Sequence, residues 1–193
     1  SCGNCVARCA MRLNPVLIFL FFIDYTPFEE MVDIALMQHP APVFIMLDGV
    51  SDVRNLGAIA RTAECAGASG IIVPAKGGAA ITSEGIKASA GALLRINVAK
   101  TQNLRLPAMY LKEQGFQIVG ATEKSDKDIY GVDFTKPTAI VMGSEGKGIS
   151  DSMLALCDEK GKIPMAGEIS SLNVSVATAV CLYEAVRQRG GKL

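Results

Sequence analysis

The chain has 193 residues, half of them hydrophobic, with six cysteines and no tryptophan. That length fits one domain with a sizeable core, and the hydrophobic share excludes a disordered or low-complexity chain. Lys plus Arg and Asp plus Glu balance at 19 each, so no basic excess marks a nucleic-acid binder, and any RNA contact must come from local clusters such as Lys87, Arg95, Lys100 and Arg105.

Near the N-terminus, Cys2, Cys5 and Cys9 include a CxxC spacing. A fourth nearby thiol and a histidine are missing, the only histidine being His39, so a tail is favoured over a metal site. The apolar run 16–23 is too short to span a bilayer. No small-residue cleavage site follows it, so it reads as a buried strand or packing arm instead of a secretory signal. Cys65, Cys157 and Cys181 fall singly in apolar helical patterns, as small core residues suited to a reducing cytosol.

From residue 43 the pattern becomes regular. Residues 43–47 form a continuous apolar run, as in a strand buried on both faces. Asn55 is a cap for a helix through Ala66 that stops at Gly67. A strand over 71–73 ends at Pro74, a short helix is predicted over 83–89, and a strand over 94–98. Pro107 opens a helix to Gln114, with Gly115 as its stop. Residues 117–122 and 139–142 are two further buried strands, followed by helices over 150–157 and 173–189. Strands alternating with helices imply a mainly parallel sheet, whose ligands sit beyond the carboxyl ends of the strands. The loops after Leu47, Thr122, Met142 and Ile163 are where chemistry is expected.

Arg61 lies six residues after Asn55, among apolar neighbours. It reads either as a snorkelling surface arginine or as a guanidinium held against a phosphate or a reacting hydroxyl. The loop Gly143-Ser-Glu-Gly-Lys-Gly148 lets backbone N–H groups approach a ligand, although an ordinary tight turn has the same composition. It lacks the Walker A order, and no dinucleotide fingerprint follows any strand. In the third segment Ser170, Ser171, Asn173 and Ser175 interrupt a buried-looking run, where polar groups need partners such as a bound ligand. Ser171 or Asn173 can cap the last helix. Val174, Val176, Ala177, Ala179, Val180, Cys181 and Leu182 cover most of that helix's circumference, so burial on more than one side is expected, most economically in a homodimer.

Taken in order, Asn55-Leu-Gly-Ala-Ile-Ala-Arg61-Thr, the Gly143–Gly148 loop and the segment 163–177 resemble the three motifs of the SpoU (TrmH-type) RNA ribose 2′-O-methyltransferases. The resemblance covers residues 43–189, and Lys87-Ala-Ser-Ala-Gly-Ala92 with segment 181–189 is similar to the branch that methylates a guanosine ribose in large-subunit ribosomal RNA. It implies an α/β fold of the SPOUT type, a mainly parallel sheet flanked by helices with a C-terminal trefoil knot. Sequence reasoning alone would not propose a threaded chain. It also implies S-adenosyl-L-methionine as cofactor, no metal, a homodimer through the last helix, no membrane, a cytoplasmic location, and RNA as partner, ribosomal ahead of transfer RNA. Asn55, Arg61, Glu145, Ser171 and Asn173 take the catalytic positions. Thr122, Gly143, Ser144, Gly146, Ile163, Met165 and Leu172 take the cofactor positions. Because a guanidinium resists deprotonation, Arg61 is expected to orient and stabilise charge instead of serving as a simple base. Residues 41–193 then form the methyltransferase domain, and 1–40 a tail or the remnant of an RNA-binding extension. Alternatives are a transfer RNA ribose methyltransferase, a non-catalytic RNA-binding assembly factor, and a metabolic nucleotide binder.

Overall fold

The structure, a computed structural model, describes residues 25–191 and 193, so the cysteine cluster and the apolar run 16–23 lie outside the described residues. The chain begins with helix α1 (Phe28–Gln38), then strand β1 (Val43–Asp48), α2 (Val53–Ala66), β2 (Gly70–Pro74) and the short α3 (Ser83–Ala88). After a 3-10 turn at Ala92–Leu94 come β3 (Val98–Thr101), α4 (Arg105–Glu113) and β4 (Gln117–Ala121). A second 3-10 turn at Ile129–Gly131 precedes β5 (Thr138–Gly143), α5 (Asp151–Leu154), β6 (Glu159–Gly161) and α6 (Val174–Gln188).

The strands form one sheet in the order β3-β2-β1-β5-β4-β6, with every pairing parallel. β1 and β5 are buried along almost their whole length, as apolar runs in the middle of a sheet covered on both faces must be. Alternate residues serve two cores. Val43, Ile45 and Leu47 pack with Leu56, Ile59 and Ala63 of α2 and with Cys181 and Leu182 of α6. Phe44 and Met46 face α1, through Met31 and Val32, and α4, through Ala108 and Leu111. The result is a helix–sheet–helix sandwich.

Several boundaries differ from the sequence expectation. Asp52, not Asn55, caps α2: its Oδ1 accepts from Arg54 N at 2.7 Å. The predicted strand over 94–98 begins only at Val98, because Leu93 and Ile96 bury themselves from a turn. α4 starts at Arg105, where Asn103 Oδ1 accepts from the N–H groups of Arg105 and Leu106, and Pro107 sits inside its first turn. The helix predicted over 150–157 is only Asp151–Leu154. β6 is an addition, a three-residue strand paired with β4 at the sheet edge. α1 is another, and its apolar residues Phe28, Met31, Val32 and Ala35 are buried.

The chain leaves β6 at one edge and returns so that α6 packs along α2 and against β5. In this single chain α6 is not covered all round. Val174, Thr178, Cys181, Leu182 and Ala185 are buried, whereas Val176 is 48% and Tyr183 51% exposed.

Candidate active site

A cleft of about 770 Å³ opens at the carboxyl ends of β4, β5 and β6, where Ala121, Gly143 and Gly161 form part of its wall. This is the end of a parallel sheet at which ligands collect. Thr122 follows β4 and is nearly buried; its N–H donates to the Gly161 carbonyl, closing the β4 end onto β6. Beyond β5 the backbone doubles back, with Ser144 and Gly148 exchanging both N–H···O bonds at 2.9 and 3.2 Å. Gly143 has to be glycine there, since a Cβ would collide with the backbone of Gly148 and Ile149. The turn lifts Glu145 to the rim of the cleft.

Segment 163–173 forms the opposite wall with Ile163, Met165, Ser171 and Leu172. The sequence pattern reads as a buried run, but residues 166–173 are exposed and carry no regular structure. Their polar groups are therefore solvated at a cleft edge, and no core has to satisfy them.

Three distant segments meet at this rim. Asn173 Nδ2 donates to Glu145 Oε1 at 2.7 Å and to Asn55 Oδ1 at 3.1 Å, and Asn55 Nδ2 donates to Glu145 Oε1 at 3.2 Å. Asn173 Oδ1 caps α6, accepting from Ser175 N at 2.9 Å and Ser175 Oγ at 2.5 Å. Because Asp52 takes the cap of α2, the Asn55 amide is free to join this cluster.

All seven residues expected to hold the cofactor line the cleft: Thr122, Gly143, Ser144 and Gly146, then Ile163, Met165 and Leu172. Of the five expected catalytic residues, Glu145, Ser171 and Asn173 line it, and Asn55 joins through the cluster. Arg61 does not line the cleft. It lies six residues beyond Asn55 on α2, which turns it to another side of the helix, and it is exposed. Glu123 is an addition. Glu123 follows β4 at the carboxyl end, and that position is the signal that marks it. Among the described residues no group of three or more His, Cys, Asp or Glu side chains is placed to hold a metal ion.

The parallel sheet and its carboxyl-end cleft define an α/β protein with a ligand site of nucleotide-cofactor size. A match to the SpoU rRNA Methylase family spans residues 42–183. The chain belongs to that family. It is 44% identical over 161 residues to the 23S rRNA (guanosine-2′-O-)-methyltransferase RlmB of Vibrio vulnificus, covering 83% of this chain and 65% of that relative. The chain thus spans slightly less than two thirds of the length of this curated relative. Among solved structures it is similar to the SpoU methyltransferase AviRb from Streptomyces viridochromogenes in complex with AdoMet, with a TM-score of 0.71 and 32% identity over 79% of this chain and 59% of that one. The A. aeolicus TrmH/SpoU tRNA modifying enzyme also gives a TM-score of 0.71 and 32% identity, over 84% of this chain and 83% of that one.

Proposed function

We propose that this chain carries out S-adenosylmethionine-dependent methylation of a ribose 2′-hydroxyl in RNA, with a guanosine of large-subunit ribosomal RNA as its target. The observation that carries this reading is the Asn55–Glu145–Asn173 cluster, assembled at the rim of the cleft from three motifs that are far apart in sequence. The choice of target is supported by the 44% identity to a 23S rRNA guanosine methyltransferase.

The cleft's residues suit the cofactor. Ile163, Met165 and Leu172 offer apolar contact for a nucleobase, while Thr122, Glu123 and Ser144 offer polar partners for a ribose and an amino-acid tail. When bound, S-adenosylmethionine supplies an electrophilic methyl group on a sulfonium sulfur. The chain's own task is to position a weak nucleophile and stabilise it as its proton leaves. Glu145 Oε1 accepts from two amides, so this carboxylate holds Asn55 and Asn173 in place. Ser171, exposed at the same rim, presents its hydroxyl to the substrate ribose. Arg61 stabilises the developing alkoxide, and the proton leaves to solvent or an RNA phosphate.

Arg61 lies outside its own cleft, and α6 presents Val176 and Tyr183 to solvent. Both features support a homodimer in which that stripe of α6 is covered and Arg61 reaches the reacting ribose of the partner subunit. The C-terminal trefoil knot belongs to the same reading, supported by the return of the chain from edge strand β6 to α2. No described helix is long and apolar enough to cross a membrane, and an activity on ribosomal RNA fits the cytoplasm. A transfer RNA target is the second reading, favoured by the A. aeolicus similarity, which covers most of both chains.

The test is methyl transfer from labelled S-adenosylmethionine to large-subunit ribosomal RNA and, separately, to bulk transfer RNA, followed by mapping of 2′-O-methyl positions. Label on a ribosomal guanosine is expected. Label confined to transfer RNA moves the target, and no label in either RNA with no cofactor binding by calorimetry overturns the reading.

A further inference from the structure

A second, smaller cavity of about 260 Å³ lies at the same carboxyl end of the sheet, beyond β1, β2 and β3. The loop after β5 separates it from the cofactor cleft. Gly143, Ser144, Glu145, Gly146 and Gly148 of that loop line the cleft, whereas Ser150 and Ser152, just after it, line the second cavity. The two cavities are joined structurally as well. Asp48 Oδ2 accepts from Ser150 N at 2.7 Å, and a Cβ at Gly49 would stand 3.4 Å from the Cβ of Ser144.

The lining mixes apolar residues, Pro74, Leu104 and Met153 among them, with polar ones, and carries two cations. Lys76, from the turn after β2, and Arg105, at the start of α4, both contribute to the wall, and neither makes an ion pair among the described residues. One carboxylate, Asp48, is present, and its Oδ2 is engaged by the Ser150 N–H. Asn103 uses its Oδ1 on the backbone of α4, so its Nδ2 donors are left for a ligand, and the hydroxyls of Ser150 and Ser152 sit 3.2 Å apart on the other wall. In a chain of zero formal net charge, these exposed cations, amide and hydroxyl donors gather beside the proposed methyl-transfer cleft, where an anionic ligand can meet them together.

We propose that this second cavity grips the sugar–phosphate backbone of the RNA strand flanking the nucleotide to be methylated, with Lys76 and Arg105 on its phosphates. The proposal rests on the RNA-methylating reading above and adds to it the path of the strand: across the Ser144–Gly148 turn, from the cofactor cleft to the β2–β3 edge. Phosphate contacts of this kind fix register without reading sequence. They also make affinity salt-dependent, through release of condensed counterions.

The experiment measures binding of a labelled single-stranded RNA oligonucleotide to the full chain over a range of salt. It compares wild type with the Lys76→Glu/Arg105→Glu and Lys76→Gln/Arg105→Gln double variants, and runs S-adenosylmethionine calorimetry on each. The charge-reversal pair is expected to weaken RNA binding at least tenfold while cofactor affinity stays at the wild-type value. The neutral pair is expected to lower the slope of log affinity against log salt by about 1.4, the loss of two single-strand phosphate contacts. In methyl transfer the loss should appear as a raised KM for RNA with kcat retained. A wild type that binds and methylates RNA while both variants match it in affinity and slope overturns this proposal alone. A wild type that binds neither RNA nor cofactor overturns the underlying reading and this proposal with it. Loss of cofactor binding by the charge-reversal pair marks a folding defect, and the neutral pair then decides the question.

Discussion

The carboxamide of Asn173 is divided between two duties. Its oxygen caps α6 through the Ser175 N–H and hydroxyl, and its nitrogen ties Glu145 to Asn55. The first duty is structural and the second belongs to the site, and substitutions can separate them. Asn173→Ala removes both, and loss of the cap costs about 1 kcal/mol. In a chain of this size that lowers the Tm by roughly 2–4 °C. Asn173→Ser keeps a good cap but cannot reach Glu145. Thermal melts should therefore show Asn173→Ser near wild type, while its methyl transfer falls with that of Asn173→Ala. Recovery of activity along with stability in the serine variant would mean that the cap alone matters.

At the level of elements, α6 is fastened at both ends. Its N-terminus is held by Asn173 at the cleft. Near its C-terminus, Gln188 Nε2 donates to the Val132 carbonyl and its Oε1 accepts from Phe134 N, while Arg189 donates to the carbonyls of Phe134, Lys136 and Ala41. Desolvation of Arg189 lowers its pKa from the usual arginine value, and the three carbonyls supply hydrogen-bond partners in place of water. Glu184 orients this end, accepting from Arg187 at 2.7 and 2.8 Å and from Gln188 at 2.7 Å. The Arg187 hydrogen bonds, with that of Gln188, hold the Glu184 carboxyl below its usual value of 4.5. A lowered carboxyl pKa favours the ionised folded state, so its stabilisation is complete above 4.5 and fades as pH falls through the lower folded value. Arg187 is largely exposed, so solvent screening keeps the contribution modest. Glu184→Gln should lower the Tm at pH 7, and the gap to wild type should narrow in melts below pH 4.5; an equal gap at both pH values would rule out the carboxylate charge as its source. The sequence makes α6 legible as an apolar helix, because Val, Ala and Leu dominate it, but the partners of Gln188 and Arg189 are backbone carbonyls that no spacing announces. β1, β2, β4 and β5 are legible for a similar reason, as short apolar runs bounded by turns. β6 is not, since Glu159-Lys160-Gly161 has no apolar signal and becomes a strand only by pairing with β4. α1 carries helical spacing at Phe28, Met31, Val32 and Ala35, in the segment that the sequence leaves unassigned.

For the whole molecule, the position of Arg61 sets the problem. Motif spacing groups Arg61 with Asn55, yet six residues along a helix turn a side chain to a different side, and only Asn55 reaches the cleft cluster. Motif spacing groups residues with one proposed reaction, but it does not record which copy of the chain would supply them. α2 and α6 lie side by side in one layer, with Arg61 exposed on the first and Val176 and Tyr183 exposed on the second. The proposed symmetric pairing through that layer would bury the apolar stripe and would carry Arg61 of one subunit toward the cleft of the other. Mixed dimers test this directly. Arg61→Ala and Asn173→Ala should each abolish methyl transfer in homodimers. A dimer of one Arg61→Ala subunit with one Asn173→Ala subunit then has one intact cleft and one doubly defective cleft if Arg61 acts across the interface, so activity should return to about half of wild type per dimer. If Arg61 acts within its own subunit, both clefts carry one lesion and the mixed dimer stays inactive. Sedimentation of the wild type at micromolar concentration supplies the companion result, since a monomer there would remove the interface on which the cross-subunit arrangement depends.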